Sequence, residues 1–339
     1  MFAFRKTFRS WRKIVSDTEH VWDKHETLFH YTNQAGLLGI LNSNDLWASS
    51  YKFLNDREEV VFFKKVLRNS LLPFFERNLR NKRDLDVMQS ALLRLHGYSN
   101  LASQQADEFI DVLYKTTFQP QGGRKELVHP FFVSFCSHSD SYEKKNGLLS
   151  QWRGYGSDGG FAIEFDVKEL SRQIQESVAT YERAVSFFCD VFYCDTDNSL
   201  PSLNENIECI VDTAEALIRG RENPFEKSYG PFVTAATRTK HIGFREEQEF
   251  RVVIAPILQG GPFSELGEGY SKFKKIYVRE GKDGLIPYIK LLEEIPDPLP
   301  IRRVIVGPCR QQQQNYDAVS FALEGAKIEV TLSETPYVG

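Results

Sequence analysis

Hydrophobic spacing changes character once along this chain, and that change limits the fold more than any other feature. From residue 57 to 119, "VVFFKKVLRNSLLPFFERNLRN", "LDVMQSALLRL" and "QQADEFIDVLYKTTF" repeat apolar residues at helical spacing, with Pro73 as a break point and "HGYSN" as a connection. Beyond Gly122 and Gly123 the pattern turns to short apolar runs rich in β-branched and aromatic residues. "HPFFVSFCS", "GGFAIEFDV", "ERAVSFFCDVFY", "EFRVVIAP", "FKKIYV", "IRRVIVGP" and "AKIEVTLSE" read as strands, with helices near 167–179, 205–221 and 312–324. Ahead of the helical block, "TLFHYT" reads as a strand, "NQAGLLGILNSN" as a helix capped by Thr32 or Asn33, and "DLWASS" as a second strand. Strand, helix and strand, then helices, then a strand-rich remainder predict an α+β fold, with residues of about 57–120 inserted into a single domain spanning 26–338.

Composition supports that scale and excludes some functions. The chain has 339 residues, 41% of them hydrophobic, enough for a full core. A formal net charge of -4 argues against a protein whose whole surface grips nucleic acid, while leaving room for a local basic groove. No apolar run approaches the roughly 18 residues of a membrane span. The N-terminus lacks the apolar core of a secretory signal, so a cytoplasmic location is expected. Cysteines 136, 189, 194, 209 and 309 form no CxxC pair and have no histidine at zinc-finger spacing. They read as reduced core residues, and no metal is expected.

Residues 1–20 stand apart. In "MFAFRKTFRSWRKIV" the aromatics Phe4, Phe8 and Trp11 share one helical face, and Arg5, Lys6, Arg9, Arg12 and Lys13 fill the rest. Such a basic amphipathic segment suits a membrane surface, phosphate or an acidic partner, or packing on its own domain.

Familiar catalytic signatures are absent: no GxxxxGK(S/T) loop, no HExxH and no GxSxG. Three groupings carry reactive side chains. They are His30, Tyr31 and Thr32 at a strand end, the polar aromatic turn "LLSQWRGYGSDGG", and the carboxylates Glu246, Glu247 and Glu249 ahead of an apolar strand. Each also has a plain structural reading: a hydrogen-bonded histidine, a packed loop anchor, and glutamates facing water.

Taken together, "LFHYTNQAGLLGILNSNDLWASSYKFLNDREE", "SFCSHSDSYEKKNGLLSQWRGYGSDGGFAIEFD" and "TKHIGFREEQEFRVVI" resemble a bacterial family described as a domain of unknown function. The shared pattern is HYT, an Asn-Asp-x-x-Glu turn, a Trp-x-x-Tyr turn and a Glu-x-Glu-aromatic-Arg segment, spread over most of residues 27–256. That family in turn resembles distant ADP-ribosyltransferases of the His-Tyr-Glu group, which includes poly-ADP-ribose polymerases and nucleic-acid-modifying toxins.

The resemblance implies a split β-sheet core with a helical insertion and NAD as substrate. It matches His30 to the histidine that holds the adenosine-side ribose and helps position the nicotinamide amide. Tyr155, or else Tyr31, matches the aromatic stacked on nicotinamide, and Glu249 matches the catalytic glutamate. Cleavage of the nicotinamide–ribose bond passes through an oxocarbenium-like state that a carboxylate stabilises. Glu247, expected on the same strand face, would orient or deprotonate the acceptor. Thr32, Trp152 and Arg153 join the candidate NAD-binding residues, and Asn55, Asp56, Lys240 and Arg245 are candidate substrate or phosphate contacts. Lys240, Arg245 and Arg251 could equally pair with the glutamates. The expected activity is ADP-ribosyl transfer to RNA or DNA by a toxin or anti-phage defence effector, with an antitoxin or chaperone held through residues 1–15. The alternatives are an NAD glycohydrolase, a protein-targeting transferase and a non-enzymatic binding module.

Overall fold

The computed structural model describes residues 21–336 apart from 54–57, 82–86, 119–129, 156–158, 182, 196–202, 221–224, 257–272 and 282–283. The basic segment 1–20, the turn at Gly122 and Gly123, and the candidates Asn55 and Asp56 lie outside the described residues.

Strand β1 (Thr27–Thr32) leads into helix α1 (Gln34–Ser43). The Asn33 side chain caps α1 by accepting from the Gly36 amide, and Asn44, left-handed at φ 49°, ends it before β2 (Trp47–Ser50). Helices α2 (Glu58–Asn81) and α3 (Val87–Phe118) follow. Pro73 does not break α2: Leu71, Phe74, Phe75 and Leu79 are buried around it, and packing outweighs the lost backbone bond. The expected connection at "HGYSN" is a kink inside α3, where Gly97 turns to φ 76° and ψ 170°.

The chain then forms β3 (Phe131–Cys136), α4 (Ser141–Asn146), α5 (Leu149–Tyr155), β4 (Phe161–Asp166), α6 (Val167–Thr180), β5 (Arg183–Asp190) and β6 (Phe192–Cys194). Helices α7 (Asn204–Ile218) and α8 (Phe225–Arg238) precede β7 (Thr239–His241), a 3-10 segment (Ile242–Glu247) and β8 (Glu249–Pro256). The last elements are β9 (Tyr277–Gly281), β10 (Gly284–Lys290), β11 (Ile301–Val306), α9 (Gln312–Ala322) and β12 (Glu329–Leu332).

Among the described residues this is a mixed α+β architecture around a ten-stranded sheet ordered β12-β11-β4-β1-β3-β2-β10-β9, with β8 on β3 and β5 on β8. One edge of β3 is paired with β8 from Phe131 to Cys136. Its other edge meets β1 only at Cys136 and β2 only at Phe131 and Phe132. The sheet therefore forks at the middle of β3, because the chain leaves β1 into α1 before returning as β2.

The two faces of the sheet are covered differently. On one, Leu28, Val133, Phe135, Ile163, Phe250 and Val252 pack with α1, α6 and α9 through residues such as Leu37, Leu170 and Val319. The other meets a helical layer in which Phe63, Leu67 and Leu71 of α2 pack with Leu101, Phe109 and Leu113 of α3, Ile210 of α7 and Phe232 of α8. The helical block near 57–120 thus shares its core with helices from between β6 and β7. Hydrophobic burial of this kind stabilises at about 25 cal/mol per Å², which explains why a block without strands is tied into the sheet-bearing domain.

Candidate functional site

At the fork, the imidazole of His30 fills the space that strand pairing leaves. Its Nδ1 lies 2.8 Å from the Ser134 carbonyl oxygen. A carbonyl only accepts, so Nδ1 carries the proton and Nε2 keeps a lone pair. Burial lowers the pKa of His30 and the Arg279 charge lowers it further, against the Ser134 hydrogen bond, so the ring is neutral near pH 7.

Beside the fork, on the helical-layer face, the opening residues of β8 form a closed ion cluster. Arg251 holds Glu249 with both Nε (2.6 Å) and Nη2 (2.9 Å), donates from Nη2 to Glu59 (2.9 Å) and from Nη1 to the Thr237 carbonyl (2.7 Å). Lys240 Nζ reaches Glu247 (2.7 Å), Glu249 (3.0 Å) and Glu59 (3.3 Å). The Ser134 side chain adds another hydrogen bond to Glu249. A carboxylate has about four acceptor positions, and those of Glu249 are taken up by protein donors. Burial alone would raise its pKa, but Arg251 and Lys240 outweigh that and hold it down at about 2. Lys240 is shifted the other way: desolvation disfavours its charge, and Glu249, Glu59 and Glu247 more than restore it.

Glu247 does not share a strand face with Glu249. It ends the 3-10 segment, and Gln248 between them is left-handed at φ 44° and ψ 49°, so β8 begins only at Glu249. The two carboxylates meet through Lys240 instead. Glu247 is the more open of the pair, with its side chain 20% exposed against 5% for Glu249. Desolvation raises its pKa, opposed by Lys240. Glu246 and Arg245 face solvent.

Tyr155 closes the third side. It ends α5, and the residue is 42% exposed. Burial of its hydroxyl raises the pKa to about 12, with the Glu249, Cys136 and Glu247 charges adding to the rise. Arg279 of β9 lies near the same phenol and near Tyr288, and its charge also reaches His30. Residues 30, 155, 247 and 279 are thereby brought into one electrostatic neighbourhood.

Other candidates belong to the core. Tyr31 is buried; its hydroxyl accepts from the Leu148 amide (2.7 Å) and lies 3.0 Å from His138 Nε2, so it is not available to stack on a ligand. Trp152 is fully buried, donates to the Asn146 carbonyl (2.9 Å) and meets Tyr31 edge-on at 4.9 Å. Its ring fills the space above Gly147 and Gly307, where any Cβ would collide with it. Thr32 is buried against the first turn of α1. Lys240 is a cluster cation rather than a phosphate contact, Arg251 likewise pairs with glutamates, and Arg153 is exposed on α5. Glu59 closes the Asn-Asp-x-x-Glu pattern of the sequence but carried no assigned role there, and Arg279, in "IYVRE", has no local peculiarity and is marked only by its long-range neighbours.

Among the described residues no group of His, Cys, Asp and Glu side chains could hold a metal ion, and no helix is long and apolar enough to cross a membrane. A family model described as a protein of unknown function (DUF2971) matches residues 151–252, from α5 into β8. The matched span contains Tyr155, Lys240, Glu247, Glu249 and Arg251 and leaves out His30, Glu59 and Arg279. No curated protein and no solved structure matches the chain.

Proposed function

We propose that the chain is an ADP-ribosyltransferase that consumes NAD. The observation that supports it most is that a neutral histidine and a tyrosine, distant in sequence, lie near Arg279 at the fork of a sheet, with the half-open Glu247 near that tyrosine. In this reading the fork is the split-sheet core implied by the resemblance. His30 Nε2 accepts from a ribose hydroxyl, and Tyr155 stacks on the nicotinamide ring. Breaking the bond between ribose C1′ and the nicotinamide nitrogen sends the electron pair out with nicotinamide. A new bond then forms between C1′ and the acceptor, whose proton passes to Glu247. The raised pKa of Glu247 suits a base better than that of Glu249. Glu249 acts through Lys240, holding Glu247 in place. RNA or DNA is the acceptor that the resemblance favours, and a toxin or anti-phage effector is the matching biological role.

The test is incubation of the full chain with adenylate-labelled NAD and separate pools of RNA, single-stranded DNA and cell protein, beside Glu247→Gln. Label should enter one pool and vanish in the variant. Free ADP-ribose without transfer would make the chain a glycohydrolase. NAD left intact with every pool would sink the enzymatic reading and leave a binding module, which the fully engaged carboxylate of Glu249 favours as the second choice.

A further inference from the structure

Among the described residues Arg279 is an arginine without an acid. Arg251, Arg303 and Arg302 each hold a carboxylate, Glu249 at 2.6 Å, Glu164 at 2.7 Å and Glu26 at 2.7 Å respectively. Among the described residues Arg279 holds none. Its one bond runs from Nη2 to the Ser49 hydroxyl at 3.1 Å, and its Nε is buried with no acceptor. A buried donor on a charged group left without a partner is unfavourable, so a guanidinium kept in this condition is poised for an anion that arrives from outside.

The setting indicates which anion. Arg279 and Ser49 project from the helical-layer face of the sheet, as does Tyr288, which pairs with Ser49 in register. Tyr288 stacks on Trp47 at 4.8 Å and on Tyr277 at 5.6 Å, giving a rigid aromatic wall beside the guanidinium. Toward the fork lie a neutral imidazole with a free lone pair and the Tyr155 phenol. An arginine fork matches phosphate oxygens two at a time, and its neighbours offer ring faces and hydroxyl acceptors, with Lys275 and Lys290 each 5.1 Å from the Tyr277 ring centroid adding positive charge. That mixture suits a sugar phosphate better than a peptide carboxylate.

We propose that Arg279, steadied by Ser49, is the anchor for a phosphate group at this site, supplied by the diphosphate of an adenine nucleotide. The anion site stands on the geometry alone; naming the nucleotide as its carrier rests on the ADP-ribosyltransferase reading. Desolvation, which lowers the pKa of Arg279, acts in the same direction, since an incoming anion would relieve it.

Calorimetry on the full chain separates the two claims with ADP-ribose, inorganic pyrophosphate and adenosine as probes. ADP-ribose should bind, and Arg279→Gln should weaken it about 30-fold or more, with Arg279→Lys intermediate because charge survives without the fork. Adenosine affinity should stay within about twofold between wild type and Arg279→Gln, which also reports that the variant is folded. Pyrophosphate binding that depends on Arg279, with no binding of ADP-ribose, would uphold the anion site and overturn the nucleotide as its carrier. ADP-ribose binding equally well to Arg279→Gln would overturn the anchor while leaving the proposed activity standing. Failure of both phosphate probes to bind the wild type would overturn the anchor outright.

Discussion

The two ends of this site treat charge in opposite ways. At the start of β8, two cations and three carboxylates satisfy one another out of water: Arg251 and Lys240 against Glu59, Glu247 and Glu249. Among the described residues, Arg279 by contrast keeps a guanidinium with only a serine hydroxyl, and His30 keeps a lone pair with nothing on it. Removing one partner from a closed cluster uncovers a buried charge, whereas an open group has little to lose inside the protein. The closed end therefore holds the fold together, and the open end is where a ligand can gain by binding.

The sharpest way to break that contrast is Arg251→Ala. It leaves Glu249 and Glu59 buried with Lys240 alone, and the loss should be about 3–5 kcal/mol in urea unfolding. A loss below about 1 kcal/mol would show that the cluster is not buried as described. Because Glu59 comes from α2, a smaller but definite loss is expected for Glu59→Gln, measured the same way. That contact is what makes the helical layer part of the site's foundation.

Acid should dismantle the same end. Glu249 has its pKa depressed from the ordinary glutamate range to about 2. Its contribution is therefore complete above the unfolded-state pKa near 4.5 and is lost as pH falls from there through 2. The shift corresponds to stability on the order of 3 kcal/mol. Urea titrations at pH 6 and pH 3 should show most of this loss in the wild type and much less in Arg251→Ala. Equal losses in both proteins would place the acid-sensitive group elsewhere.

Much of the frame behind this contrast is visible in the sequence. "TLFHYT" forms the short strand β1, and Asn33 caps the helix after it. Local spacing also reveals the strand-rich half and the helical block. It misled at Pro73, where buried phenylalanines override a poor helix residue, and at the Trp152 turn, which is a helical turn with a core tryptophan. The strand Gly284–Lys290 and the helix Phe225–Arg238 were not foreseen, since glycine and proline interrupt both patterns. The spacing of the three crowded glutamates misled in one respect. Their sequence spacing assumes a continuous strand, but left-handed Gln248 separates Glu247 from the strand, and Glu249 is neutralised by residues that no local pattern connects to it.

Glu247, the most exposed carboxylate of the closed cluster, should affect chemistry rather than stability. Glu247→Gln keeps a hydrogen-bonding group, and Lys240 retains Glu249 and Glu59, so unfolding free energy should move by less than about 1 kcal/mol. Nicotinamide release should nevertheless fall at least about 100-fold, the usual scale for a lost general base. A large stability change would make Glu247 as structural as Glu249. An unchanged rate in a stable variant would remove it from the chemistry.

The smallest effect distinguishes a core tyrosine from a ligand-stacking one. Tyr31→Phe preserves the ring and its edge-on contact with Trp152 but removes the hydroxyl that serves the Leu148 amide and His138. Both partners are buried, and burial already holds the His138 pKa at about 3, so its imidazole cannot escape by charging near neutral pH. An unsatisfied buried amide alone is worth about 1–3 kcal/mol, and a stability loss in that range is expected with nicotinamide release unaltered. If Tyr31 stacked on the substrate instead, phenylalanine would serve nearly as well as tyrosine and stability would hardly change. A stable Tyr31→Phe would therefore return Tyr31 to the open end and redraw the boundary between the two.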